Sequence, residues 1–169
     1  MAATDEAQWI AWYLELEKPL YNVAYRWLWD AAESQDVVQE AFLRCWRIRQ
    51  RIVAETFKPL IFQTTLRLLS NRARKRKLWR LVPWSETESN ASNGTEVDIL
   101  ASRQVRVALD GIKASLKQVL LLSEVGGLSY KEIAAVMRIS EGTVGSRRNR
   151  ALAALKEQLQ VQGVCRNET

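Results

Sequence analysis

The sequence predicts an all-α protein: two small helical domains joined by a flexible linker, the C-terminal one a helix-turn-helix. Three observations predict it. The 169 residues are 47% hydrophobic yet hold only 7 Gly and 3 Pro, and the stretches between these are rich in good helix formers. Apolar positions recur at helical spacing, with few strand-like runs. Residues 82–98 (VPWSETESNASNGTEVD) break that periodicity with Pro83, Gly94 and a cluster of Ser, Thr and Asn, the composition of a joint. The expected division is a domain over 1–81, a linker over 82–98 and a domain over 99–169.

Residues 8–29 form the first helical stretch, with Trp9, Trp12, Leu16, Leu20, Val23, Ala24, Trp27 and Leu28 as its apolar positions. Pro19 lies inside it, so two helices or a kink are expected. The second helix spans about 33–48. Val37, Val38, Ala41, Phe42, Cys45 and Trp46 share one face, and Asp36, Gln39, Glu40, Leu43 and Arg44 occupy the rest. A connection over 49–56 precedes a third helix over 57–80, which begins apolar and ends in RARKRKLWR. Arg72, Arg74, Lys75, Arg76, Lys77 and Arg80 repel one another there. A phosphate backbone relieves that repulsion.

In the second half, residues 100–113 and 115–125 are helical, the latter stopping at Gly126-Gly127. Ser129 and Glu132 stand three apart before an apolar pattern, which is a capping box. Ile133, Ala134, Val136 and Met137 face inward, and Arg138-Ile139-Ser140 breaks the helix. Ser140 then caps a longer helix to about residue 160, with Val144, Ala151, Leu152, Leu155 and Leu159 on its packed side. A short helix, a three-residue turn and a longer helix make a helix-turn-helix. The start of its second helix enters the major groove, where Thr143, Ser146, Arg147, Arg148, Asn149 and Arg150 supply donors.

Charge and composition narrow the function. The net charge of +6 divides into +5 over 1–81, −4 over 82–98 and +5 over 99–169. Two basic segments flank an acidic joint, an arrangement suited to a polyanion. With no histidine, the commonest metal ligand and the usual neutral-pH base are missing. Cys45 and Cys165 match no zinc or redox spacing. The expectation is no catalytic site, no metal, no cofactor and no small-molecule substrate. The start MAATDEAQW lacks a signal-peptide layout, and no apolar run approaches a membrane span of roughly 20 residues. A cytoplasmic protein without direct membrane insertion is expected. The seven tryptophans fall mostly in the first domain at helical spacings, as core packing requires. Trp79 and Trp84, beside the basic run and the linker, are candidates for stacking on exposed bases or for meeting a partner.

Two segments resemble one known family. DVVQEAFLRCW, from Asp36 to Trp46, is similar to the polymerase-docking helix of sigma region two. GLSYKEIAAVM and GTVGSRRNRAL, within Leu116 to Leu155, are similar to sigma region four. In this order, with an unstructured joint between, they resemble the extracytoplasmic-function sigma factors (sigma-70 family, group IV), promoter-recognition subunits of bacterial RNA polymerase. The resemblance implies that Asp36, Gln39, Glu40 and Arg44 bind core polymerase at its β′ clamp helices, with a further contact to the β flap. It implies −10 element contacts from the 49–57 loop, including Arg49 and Arg51, and from Arg67, Asn71, Arg72, Arg74, Lys75, Arg76 and Trp79. It implies −35 element contacts from Ser140, Thr143, Ser146, Arg147, Arg148, Asn149 and Arg150. Promoter DNA and an anti-sigma factor are the other partners implied.

Departures from the pattern accompany the match. Leu60 stands where Trp is usual, and Arg67 and Asn71 where Asn and Asp are usual. Gly126 replaces a Glu, Arg138 the turn glycine, Gly145 a Lys, Arg148 a Leu and Leu152 an Arg. An altered −35 preference is expected. A helix-turn-helix regulator acting without polymerase is the alternative, and it would need a palindromic site for the free protein.

Overall fold

The computed structural model describes residues 6–79 and 96–162, with side chains given for 6–76 and 103–162. Seven α-helices occur among them, without a strand. Arg80, Trp84, Cys165 and most of the expected linker lie outside the described residues, and the side chains of Lys77 and Trp79 are not described.

α1 (Glu6–Leu28), α2 (Ala31–Arg47) and α3 (Ala54–Trp79) pack against one another. α1 runs as one helix past Pro19, so of the expected two helices or a kink, two separate helices do not form. Proline removes one backbone hydrogen bond there, but Leu16, Leu20, Val23 and Ala24 on both sides are buried, and that packing holds the helix together. Trp29 follows at φ 56, a left-handed turn, and Asp30 caps α2 by accepting from Glu33 N at 2.8 Å. A 3₁₀ turn, Arg49–Arg51, leads to α3, which starts three residues earlier than expected and contains Pro59. Phe57, Ile61, Phe62 and Leu69 of α3 are fully buried, each contributing roughly 1.5–3 kcal/mol. Trp12 stacks on Phe57 at 4.1 Å, and Trp9 meets Phe42, Trp46 and Phe57. Trp12 is buried in the core, and Trp9, Trp27 and Trp29 pack half-buried against it.

α4 (Glu96–Asp110), α5 (Ala114–Glu124), α6 (Tyr130–Met137) and α7 (Glu141–Val161) form the second group. α4 begins at Glu96, inside the segment read as linker. Ser129 and Glu132 make the expected capping box, and Ser140 accepts from Thr143 N at 3.2 Å to start α7. Arg138 ends α6 at φ 55, ψ 48, the left-handed position where glycine was missed. Ile133, Val136, Val144 and Ala151 are buried, whereas Leu152 is 37% exposed. Leu152 therefore does not belong to the packed side: only Ala151 of that pair points to the core.

The two groups share one hydrophobic core. α6 packs on α3 and α5 approaches α1. Lys58 Nζ lies 2.6 Å from Glu132 Oε1, and Gln63 Nε2 donates to the Val136 carbonyl at 3.1 Å. Lys117, only 7% exposed in its side chain, pairs with Asp110 at 2.8 Å and lies 5.0 Å above the Trp27 ring, so this buried charge is compensated.

Candidate functional site

The outer face of α2 follows from its inner one. Val37, Val38, Ala41, Phe42 and Cys45 are buried, so Asp36, Gln39, Leu43 and Arg44 are turned to solvent and Glu40 is half-buried. Glu40 pairs with Arg44 one turn on. Beside this polar row lies an open apolar groove lined by Trp9, Ile10, Tyr13, Phe42, Leu43 and Trp46. Leu43 is 59% exposed. Gln39 of the polar row and Glu6 of α1 also line the groove, so polar groups rim its apolar surface.

The basic end of α3 divides into two faces. Arg67, Asn71, Arg74 and Lys75 are exposed along one stripe at helical spacing. Arg72 and Arg76 turn the other way, to α2. Arg72 Nη2 is 3.4 Å from both Asp36 Oδ2 and Glu40 Oε2. Arg76 Nη2 lies 2.7 Å from Glu33 Oε2 as an ion pair without hydrogen-bond geometry, 3.5 Å from Asp30, and its Nη1 donates to the Leu28 carbonyl at 3.0 Å. The run of like charge is thus relieved within the chain at two of its positions. Sequence spacing could not separate the two faces, because the acids come from another helix.

Arg67, Asn71 and Arg74 border a cleft whose far wall is Gln118, Val136 and Met137 of the second group. Arg49 lies with its guanidinium 4.0 Å over the Trp46 ring and donates to the Trp46 carbonyl at 3.1 Å. Arg51 is exposed on the same turn.

On α7, Ser140, Ser146, Asn149 and Arg150 are exposed, and Thr143 and Arg147 are half-buried. The hydroxyls are also used locally. Ser140 and Thr143 share a hydrogen bond of 2.8 Å, and Ser146 donates to the Thr143 carbonyl at 3.1 Å. Arg148 donates to Glu124 of α5 at 2.7 Å, and that bond holds the Glu124 carboxyl below its usual range. A β-carbon at Gly145 would meet only the Tyr130 ring, at 3.5 Å, so the glycine answers no steric demand. At Gly126 it would come within 2.9 Å of the Leu122 carbonyl oxygen and 3.2 Å of Val23. The usual Glu cannot occupy that position in this packing.

Among the described residues no group of three potential metal ligands occurs, and no helix is long and apolar enough to cross a membrane.

A helix-turn-helix beside a second helical unit with an exposed cationic stripe is the architecture of a DNA-binding protein. Residues 12–78 match the sigma-70 region 2 family and residues 102–155 the sigma-70 region 4 family. ECF RNA polymerase sigma factor SigL of Mycobacterium tuberculosis (strain H37Rv) is 30% identical over 171 residues, covering 98% of this chain and 96% of SigL. ECF RNA polymerase sigma factor SigW of Bacillus subtilis (strain 168) is 25% identical, covering 83% and 82% of the two chains. Among solved structures, CnrH in complex with the cytosolic domain of CnrY superposes with a TM-score of 0.71 at 21% identity, over 93% of this chain and 90% of that one. The sigma factor RpoE in complex with the anti-sigma factor NepR from Bartonella quintana gives 0.70 at 21%, over 90% and 96%. The chain belongs to the extracytoplasmic-function sigma factors of the sigma-70 family: it is an RNA polymerase sigma factor acting in promoter-directed transcription initiation.

Proposed function

We propose that the two surfaces divide the work of a sigma factor, with α2 holding core polymerase and α3 and α7 holding the promoter. The observation that carries this is the outer face of α2, where Asp36, Gln39 and Arg44 are exposed, Glu40 is half-buried, and Gln39 and Leu43 border an apolar groove left open among the described residues. That face takes the β′ clamp helices, and the second domain adds the β flap contact. Arg67, Asn71, Arg74 and Lys75 take backbone and bases of the −10 element, with Arg49 and Arg51 at the neighbouring loop. Asn149, Arg150, Arg147 and the hydroxyls of Ser140, Thr143 and Ser146 take the −35 element. Arg148 positions α7 through Glu124 instead of adding a free contact.

The two promoter elements lie about two helical turns apart in this reading, each turn about 34–36 Å. In this reading the packing of α6 on α3 is the arrangement of the free chain, and binding both elements calls for the domains to part on polymerase. One structural neighbour was solved with an anti-sigma factor, and an anti-sigma factor stabilising the packed state fits this chain as well. The chain carries no catalytic step of its own in this account, and it works in the cytoplasm with polymerase.

The test is to mix purified protein with core RNA polymerase and genomic DNA, then measure complex formation and specific transcript starts. Wild type forms the complex and starts transcripts; Asp36→Ala/Glu40→Ala protein does neither. Specific DNA binding by the free protein, with core polymerase ignored, would replace this reading with that of an independent regulator.

A further inference from the structure

We propose that Arg72 couples polymerase docking to DNA binding: Asp36 and Glu40 neutralise it in the free chain, and a cationic polymerase surface that takes those carboxylates releases it to a DNA phosphate. This rests on the reading of α2 as the polymerase face.

The argument begins with the unequal hold on two arginines one turn apart. Arg76 is anchored by a close Glu33 carboxylate at 2.7 Å and by the Leu28 backbone carbonyl at 3.0 Å. A main-chain acceptor cannot be taken by a partner, so Arg76 stays where it is and clamps α3 to α1 and α2. Arg72 has no such anchor. Its contacts to Asp36 and Glu40 are both 3.4 Å, longer than the 2.7–2.9 Å of a strong charge-assisted bond. One guanidinium is shared between two carboxylates, and Glu40 is itself shared with Arg44. Asp36 is 69% exposed in its side chain.

The second element is the double use of the carboxylates. Asp36 and Glu40 are the acids on the docking face of α2, and Arg72 belongs to the helix whose exposed stripe is offered to DNA. A cation arriving at Asp36 and Glu40 competes directly with Arg72. These pairs are long and only partly buried, with Arg72 25% and Asp36 69% exposed in their side chains, and such pairs are weak, so the exchange is easy in either direction. By linkage the coupling is reciprocal: whatever releases Arg72 to DNA frees Asp36 and Glu40 for polymerase by the same factor. The free chain thereby keeps one cation of its DNA surface masked until polymerase is present.

The test is a cycle of full-length proteins titrated with a labelled oligothymidine across a salt series. Asp36→Asn/Glu40→Gln protein is expected to bind about 5-fold tighter than wild type, with the salt slope steeper by about 0.7 for one added phosphate contact. Adding Arg72→Gln abolishes most of that gain, whereas adding Lys75→Gln, an exposed cation outside the acidic row, leaves it intact. In a second arm without DNA, Arg72→Gln protein binds core polymerase about 3- to 5-fold tighter than wild type, because its carboxylates are unoccupied. Thermal melts confirm that each variant is folded. A gain on DNA that is equally large with Arg72→Gln, or no gain at all, overturns the proposal, as does unchanged polymerase affinity of Arg72→Gln protein. Failure of wild type to bind core polymerase would instead sink the docking reading on which the proposal stands.

Discussion

Lys58 Nζ stands 2.6 Å from Glu132 Oε1, joining the first turns of α3 and α6 across 74 residues of chain. Each side chain is about one third exposed (35% and 32%), and Glu132 also accepts from Ser129 N at 2.7 Å. The carboxylate thus closes the helix-turn-helix cap and ties that unit to the helix bearing the exposed cationic stripe.

Removing the tie should favour parted domains. Lys58→Met leaves the capping box intact while deleting the charge. An exposed pair is worth up to about 1 kcal/mol, so the open population should rise by no more than about 5-fold. Small-angle scattering should show a larger radius of gyration, with helix content unchanged by circular dichroism. An unaltered radius would show that apolar packing alone holds the domains.

The same pair sets an acid limit. Burial pushes the Glu132 carboxyl up, but the Lys58 ammonium and the Ser129 amide and hydroxyl outweigh it, leaving the group below its ordinary value near 4.5. A carboxylate depressed on folding stabilises the folded form above that ordinary value, and the contribution disappears as pH falls through the depressed one. Interdomain packing should therefore be insensitive to pH between roughly 6 and 8 and weaken only below about 4.5. Scattering across a pH series checks this, with Glu132→Gln protein, which keeps a capping side chain, as the pH-independent control.

Arg138 occupies a left-handed position at φ 55, which costs a residue with a β-carbon roughly 1–2 kcal/mol. Arg138→Gly removes that strain and gives back part of it as chain entropy in the unfolded state. The net expectation is a gain of about 0.5–1 kcal/mol, read as a higher midpoint in urea with the same slope. A lower midpoint would mean that the Arg138 side chain holds the turn.

Gly126 has no room for a β-carbon beside the Leu122 carbonyl. Gly126→Ala should cost about 1–3 kcal/mol through overpacking, seen as a lower thermal midpoint. Since the third neighbour is Val23 of α1, separating the domains should recover only part of the loss.

Cys45 is 1% exposed, and burial pushes its thiol above the ordinary range, with a smaller opposing effect from Thr64. In a Cys165→Ser background, alkylation at neutral pH should leave Cys45 unmodified until denaturant is added, as intact mass will report. Rapid labelling of the native chain would show that the α2 face opens readily.

Much of the fold was legible because it is written locally. The α2 inner face, from Val37 to Cys45, follows from spacing alone, and the Ser129–Glu132 and Ser140–Thr143 caps act within one turn. Leu152 was placed on the wrong side, and α1 stays one helix through Pro19, for one reason: burial by other helices decided both, and a window of neighbouring residues does not contain those helices.

Hydrogen bonds four residues apart and apolar periodicity are properties of a single stretch of chain, so the helices, their caps, the helix-turn-helix and the sign of each segment could be read from the order of residues. Which cations stay exposed and which are paired was settled by the packing of the helices. Arg72 and Glu40 are 32 residues apart, and Arg148 and Glu124 are 24 apart. Their pairing depends on where helices cross, and a Coulomb interaction that acts over a few ångströms has no signature in the order of residues.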